Sequence, residues 1–309
     1  MNQSKFSLAD VLTVLGAVGF GFFCFLSFNF LSLGETIPSI IIATVLALIL
    51  GGLALGVKLL KKTDRNFKSR IIWEWALLAV FAVFALLFFL FPFSHFFSVS
   101  EQRADIQRRV IANVEQAEGM FANFENYANN RLNIHESRLR SVVNARSTNP
   151  TQYREFGFVD GTDDNTQIAN KMFTLRAQLF PSNFEDMKRV STAWLADAKN
   201  TIEIWKPIGT VSVINDVERN VTDWRNELVR LSSFRAQGEM ADNFHFPLTF
   251  EDVSDRISEF RPNPTMLSFV IALGLYLLML FSYFITKRHT RFPGCKVIFG
   301  TRSTSINEL

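Results

Sequence analysis

Cysteine and histidine are scarce in this chain, with two and four copies in 309 residues. Cys24 lies in an apolar run and Cys295 in the terminal tail, too far apart in depth to pair, which excludes a disulfide framework and a cysteine metal cage. His95, His135, His245 and His289 are scattered, with no H-E-x-x-H and no second ligand at helical spacing. The sequence also lacks a G-x-S-x-G nucleophile elbow and a phosphate-cradling glycine loop ahead of Lys and Ser or Thr. Acidic pairs such as Glu115 and Glu118 read as solvated helix faces. No catalytic, cofactor-binding or metal-ligating residue emerges, and the chain reads as a non-enzyme. Tyrosine is rare too, four against 33 phenylalanines, and Phe concentrates in long apolar runs, where lipid tolerates a helix that is apolar all round.

Four such runs reach about 20 residues, the length needed to cross roughly 30 Å of hydrocarbon. The expected fold is an all-α membrane protein: four transmembrane helices, with an extracytoplasmic helical domain inserted between spans three and four. Residues 1–98 form the membrane domain, with spans near 7–33, 38–57 and 71–97. Residues 99–262 form the helical domain, residues 263–286 the fourth span, and residues 287–309 a short basic tail. Ser7-Leu8-Ala9-Asp10 matches a capping box, which makes Asp10 a helix cap in preference to an ion-pathway carboxylate. The first run is too long for a cleaved leader and no small-residue cleavage site follows it, so it reads as an anchor. Pro38 suits the first turn of span two, and Asn263-Pro264 the start of span four. Gly52 and Gly56 form a GxxxG, and Gly16 and Gly19 place small residues on the neighbouring span, a pattern that lets membrane helices approach closely. Trp73 and Trp75 are the expected interfacial anchors of span three.

Orientation follows from the basic residues. Outside the helical domain, the 12 Lys and Arg fall at Lys5, between Lys58 and Arg70, or from Lys287 to Arg302, and none lies in the short 33–37 loop. With four crossings those segments share one side, which the positive-inside rule makes the cytoplasm. The helical domain is then outside. It carries 20 basic and 24 acidic residues, which does not suit nucleic-acid binding. No span midplane carries a charge: Asp10, Glu74 and His95 all sit near span ends, which argues against a proton-driven motor or carrier.

The domain itself reads as helical. Ile106, Val110, Val114, Ala117, Phe121, Phe124, Ala128, Leu132 and Leu139 make one sustained stripe, a rod of about 70 Å if unbroken, with Gly119 and the Asn126–Asn133 run as places to bend. Pro92 and a capping box at Ser98–Glu101 predict that the rod starts afresh instead of continuing span three. Asp160, Asp163 and Asp164 lie in a loop that lacks the glycine and terminal glutamate of a calcium site, so a solvated turn is expected. Further helices are expected over Gln167–Leu179, from a capping box at Ser182–Glu185, from Asn215 and from Thr249. Trp194, Trp205 and Trp224 fall on apolar faces and read as core.

The order of three spans, helical outer domain, fourth span and short basic tail resembles the TssN-type inner-membrane component of Bacteroidetes type VI secretion machines, across the whole chain in layout. That resemblance implies a platform linking a cytoplasmic baseplate to other envelope components, with no catalytic activity of its own. The expected partners are membrane lipids, other envelope proteins, and further copies or different subunits meeting through the outer helices. Two other readings stay open. One is a sensor whose output lies in a separate protein, since the tail is too short for a kinase. The other is a channel, although the spans offer few polar positions to line a pore.

Overall fold

The computed structural model describes residues 7–62, 67–248, 253–259 and 263–286. Lys5, Arg65, Thr249, Phe250, Phe260, the Arg261–Pro262 turn and the tail from Lys287, with His289 and Cys295, lie outside the described residues. All regular elements among the described residues are helical. Four helices are long and apolar enough to cross a membrane. The chain divides into two compact units, one of residues 1–104 with 255–309 and one of residues 105–254.

The first unit contains α1 (Leu8–Leu31), α2 (Thr36–Lys62), α3 (Phe67–Phe88), α4 (Ser94–Glu101) and, after the second unit, α12 (Met266–Ile285). α1 opens as its sequence predicts, with the Ser7 amide and hydroxyl both donating to the Asp10 carboxylate at 2.9 and 3.0 Å. It packs on α2 and α12, and α2 packs on α3. Leu33 and Gly34 both take positive φ (53° and 101°) in the tight α1–α2 connection, a conformation that costs a leucine more than a glycine. α12 begins at Met266 and is capped by Thr265, whose side chain accepts from the Ser268 amide at 3.1 Å.

The third apolar run is not one straight helix. At Phe91 the backbone leaves the helical region (φ −149°, ψ 122°) just before Pro92, and α4 resumes at Ser94. Proline blocks the intrahelical bond to the preceding turn, so the break falls where the sequence places it. The fresh start comes at Ser94 and not at Ser98, which lies inside α4. The kink also feeds the core: Phe93 stacks on Phe20 with ring centroids 4.9 Å apart, and Phe23, Phe89 and Phe97 also lie against Phe93. Aromatic pairs at such spacings add to the area they bury.

The second unit carries α5 (Arg103–Glu118), α6 (Met120–Asn144), α7 (Pro150–Glu155), α8 (Asp164–Leu179), α9 (Phe184–Ile204) and α10 (Thr210–Ser232), followed in the chain by the short α11 (Val253–Ser258). The stripe is interrupted at single residues, Gln102 and the expected Gly119, while the asparagine run at 126–133 stays helical within α6. Phe121, Phe124 and Phe184 from α6 and α9 meet in the core, Trp194 packs edge-on against Trp224, and Trp205 is buried at the end of α9. α10 starts at Thr210, five residues ahead of the expected Asn215, because the Thr210 hydroxyl accepts from the Lys206 amide and Gly209 (φ 100°) turns the chain. α9 begins at Phe184, one residue later than the Ser182–Glu185 box predicts, with Asn183 in the cap position and no side-chain cap bond.

The aspartate loop folds into local ties. Asp163 caps α8 by accepting from the Thr166 amide at 2.8 Å, Asp164 accepts from Tyr153, and Asp160 pairs with Arg146 at 2.8 Å. Hydrogen bonds from Thr166 hold the Asp163 carboxyl below the ordinary carboxylate range.

Candidate functional sites

The first polar cluster sits at one end of the apolar helices. Asp10 near the start of α1 pairs with Lys58 near the end of α2 and accepts from Ser282 near the end of α12 at 2.7 Å. Beside it, Tyr283 of α12 donates to Glu74 of α3 at 2.8 Å. Lys61 of α2 donates to the Tyr283 carbonyl and lies 4.2 Å from the centre of its ring. Asp10 and Glu74 are both buried. Four helices are therefore tied together at the end where the sequence places its ionisable groups. Asp10 is both a local cap and an interhelical tie, and the second role was invisible to the capping-box reading because Lys58 and Ser282 are 48 and 272 residues away.

The glycines do not share one partner helix. A Cβ on Gly16 would meet the Met279 amide nitrogen at 2.9 Å and the Leu275 carbonyl at 3.0 Å, and one on Gly19 would meet the Leu275 side chain, so both face α12. Gly56 faces Leu77 of α3, and Gly52 has open space around it. The close α1–α2 contact is made by Gly21 against Ala47 and by Gly51 against Ala17. Each residue advances about 100° around a helix, so Gly51 and Gly52 point to different surroundings. The GxxxG spacing alone did not say which neighbour each glycine meets. Trp73 and Trp75 lie on the first turns of α3 with 63% and 59% of their surface exposed, positions open to an interfacial role.

The second cluster lies in the 105–254 unit. Arg131 of α6 is 4% exposed and directs its guanidinium at four partners. It bonds the two carboxylate oxygens of Glu239 at 2.5 and 2.8 Å, the Ser232 carbonyl at 2.7 Å, the Phe234 carbonyl, and the Tyr127 hydroxyl at 3.2 Å. Glu239 also accepts from the Ala236 amide at 2.8 Å, so the segment after α10 is pinned to α6. Burial pushes the Glu239 carboxyl up, but the Arg131 and Ala236 bonds outweigh it and hold it below the ordinary carboxylate range.

One turn along α6, His135 is 2% exposed, and neither ring nitrogen has a hydrogen-bond partner among the described residues. It lines a cavity of about 380 Å³ together with Arg131, Arg138, Glu239, Ile134 and Met240. Burial pushes the His135 imidazole below its ordinary value; Glu239 opposes that shift, and Arg131, Arg138 and Lys171 add to it. Histidine scarcity hid this site. Its signal was the i, i+4, i+7 spacing of Arg131, His135 and Arg138, which puts three basic side chains along one side of a helix. Glu239 is 108 residues from Arg131, beyond what spacing reveals.

Among the described residues no group of three or more His, Cys, Asp or Glu is arranged to hold a metal ion. No protein-family model, no curated protein and no solved structure matches this chain, so its reading rests on its own residues and geometry.

Proposed function

We propose that this chain is a non-enzymatic, membrane-anchored scaffold of an envelope-spanning complex, with the 105–254 helical unit outside the cytoplasm and both termini inside. The observation that carries the reading is the polar tie at one end of the apolar helices. Asp10, Lys58, Lys61 and Glu74 engage one another's helices there. Charged groups engaged in this way hold a bundle together, whereas a transport path needs ionisable groups along its depth. The apolar helices then serve as an anchor, and the helical unit is left to meet partners. The membrane platform of a secretion machine, implied by the layout, is the specific form of this proposal.

Two measurements test it. On a cysteine-free background (Cys24→Ala, Cys295→Ser), Asn165→Cys should react with an impermeant thiol reagent in cells whose outer envelope has been opened. Arg65→Cys should react only after lysis, and the reverse pattern sinks the orientation. The solubilised protein should also copurify with other envelope proteins at fixed ratio; isolation as a lone chain under mild detergent counts against a scaffold. A second reading, a sensor subunit, is favoured by the cavity that His135 and Arg138 line. Ion flux through liposomes containing this chain alone would replace both with a channel.

A further inference from the structure

We propose that the cavity between α6 and the 239–243 segment is a binding site for a small carboxylate with a short apolar body, held by His135 and Arg138. Its volume of about 380 Å³ falls within the range of small-molecule pockets, roughly 300–1,000 Å³. Buried polar groups in folded proteins almost always have hydrogen-bond partners. Here a histidine 2% exposed lines the cavity, and neither of its ring nitrogens has a hydrogen-bond partner among the described residues. A neutral imidazole offers one donor and one acceptor, and on taking up a proton it offers two donors.

The charge around it selects the ligand. Of the charged side chains that line the cavity, Arg131 and Glu239 are bonded to each other, which leaves Arg138 as the cation without an ion-pair partner. Arg131 is saturated by its own partners and serves as a fixed wall. Arg138 is only half-buried, has no ion-pair partner among the described residues, and stacks its guanidinium 5.4 Å from the Phe156 ring, which leaves its donor edge for an anion. A planar guanidinium matches a carboxylate in two-pronged fashion. Ile134 and Met240 supply apolar wall, which suits a carbon body behind the carboxylate. The acidic Asp242 also lines the cavity and disfavours multiply charged anions. This site stands whether the helical unit scaffolds or senses.

The test is calorimetric titration and thermal shift of the full-length protein in detergent, with benzoate, isovalerate and acetate as probes and inorganic phosphate and choline as controls. At least one carboxylate with a carbon body should bind saturably with a dissociation constant of about 1 mM or tighter, more tightly than acetate, while choline does not bind. His135→Phe should abolish binding and Arg138→Gln should weaken it about tenfold or more. Arg140→Gln, which removes an exposed arginine paired with Glu136 on the same helix, should change nothing. Binding should take up a proton, because the anion raises the His135 pKa. Affinity then rises between pH 8 and pH 6, by up to about tenfold for each unit of that rise. Circular dichroism of each variant separates lost binding from lost folding. The proposal is overturned if none of the three carboxylates binds, if phosphate binds as well as they do, or if a folded His135→Phe variant retains full affinity. None of these outcomes touches the topology and copurification tests of the scaffold reading.

Discussion

Replacing Glu239 by glutamine changes one atom and strands a buried cation. The Arg131 and Glu239 side chains are each 3% exposed and bonded through both carboxylate oxygens. In Glu239→Gln one oxygen becomes an NH₂ group that faces the Arg131 donors, and Arg131 keeps its charge because guanidinium does not deprotonate in proteins. Removing one partner of a buried ion pair costs about 3–5 kcal/mol. For a unit of this size a loss of 1 kcal/mol moves the thermal midpoint about 2–4 °C, so the expected drop is roughly 6–20 °C. The assay is thermal unfolding of the solubilised full-length protein followed by near-UV circular dichroism, which reports on Trp194, Trp205 and Trp224 within the 105–254 unit. The double variant Arg131→Met/Glu239→Met should be less destabilised than Glu239→Gln, because no buried charge is left alone, although the Ser232 and Phe234 carbonyls lose their donor. A drop below about 2 °C in Glu239→Gln, or a double variant less stable than Glu239→Gln, would refute the account of Arg131 as the pin of this unit.

Further outcomes follow from the same geometry. Gly16→Leu should destabilise the packing of α1 on α12, since a Cβ there meets the backbone of Met279 and Leu275, whereas Gly52→Leu should be tolerated; equal thermal midpoints for the two would contradict this assignment. Asp10→Asn leaves Lys58 without its anion and should cost about 2–3 kcal/mol, less than a fully buried pair because Lys58 keeps 14% of its surface, with Lys58→Met on that background restoring part of the loss. Acid should weaken the 105–254 unit in two stages. The folded pKa of His135 is depressed, so the unfolded chain takes up the proton first and stability falls as pH drops below about 6.5. The folded pKa of Glu239 is also depressed, so the stability it contributes is present above its unfolded value and is lost only at lower pH. Urea titrations from pH 8 to pH 5 should show the first stage in the native protein and not in His135→Phe.

Local signals reported faithfully where the physics is local. The capping box at Ser7–Asp10, the break at Pro92, the interruption at Gly119 and the four apolar runs each depend on a few neighbouring residues, and all appear in the structure. Where a start signal competed with a tertiary or turn contact, it lost. Thr210 opens α10 ahead of Asn215, and the Ser98 box lies inside α4.

What the sequence determined alone is the class of the molecule: all-helical, four helices apolar enough for lipid, and a charged helical stretch between the third and fourth. Lipid and water sort residues by composition over a window of residues, and a window is a property of the chain. Partnership was decided only in three dimensions. That Asp10 answers to Lys58 and Ser282, that Gly16 admits α12, and that His135 faces a cavity walled by Arg131 and Glu239 are facts of distance across the fold. Hydrogen bonds and steric contact act over a few ångströms, and folding sets those separations regardless of how far apart two residues lie along the chain.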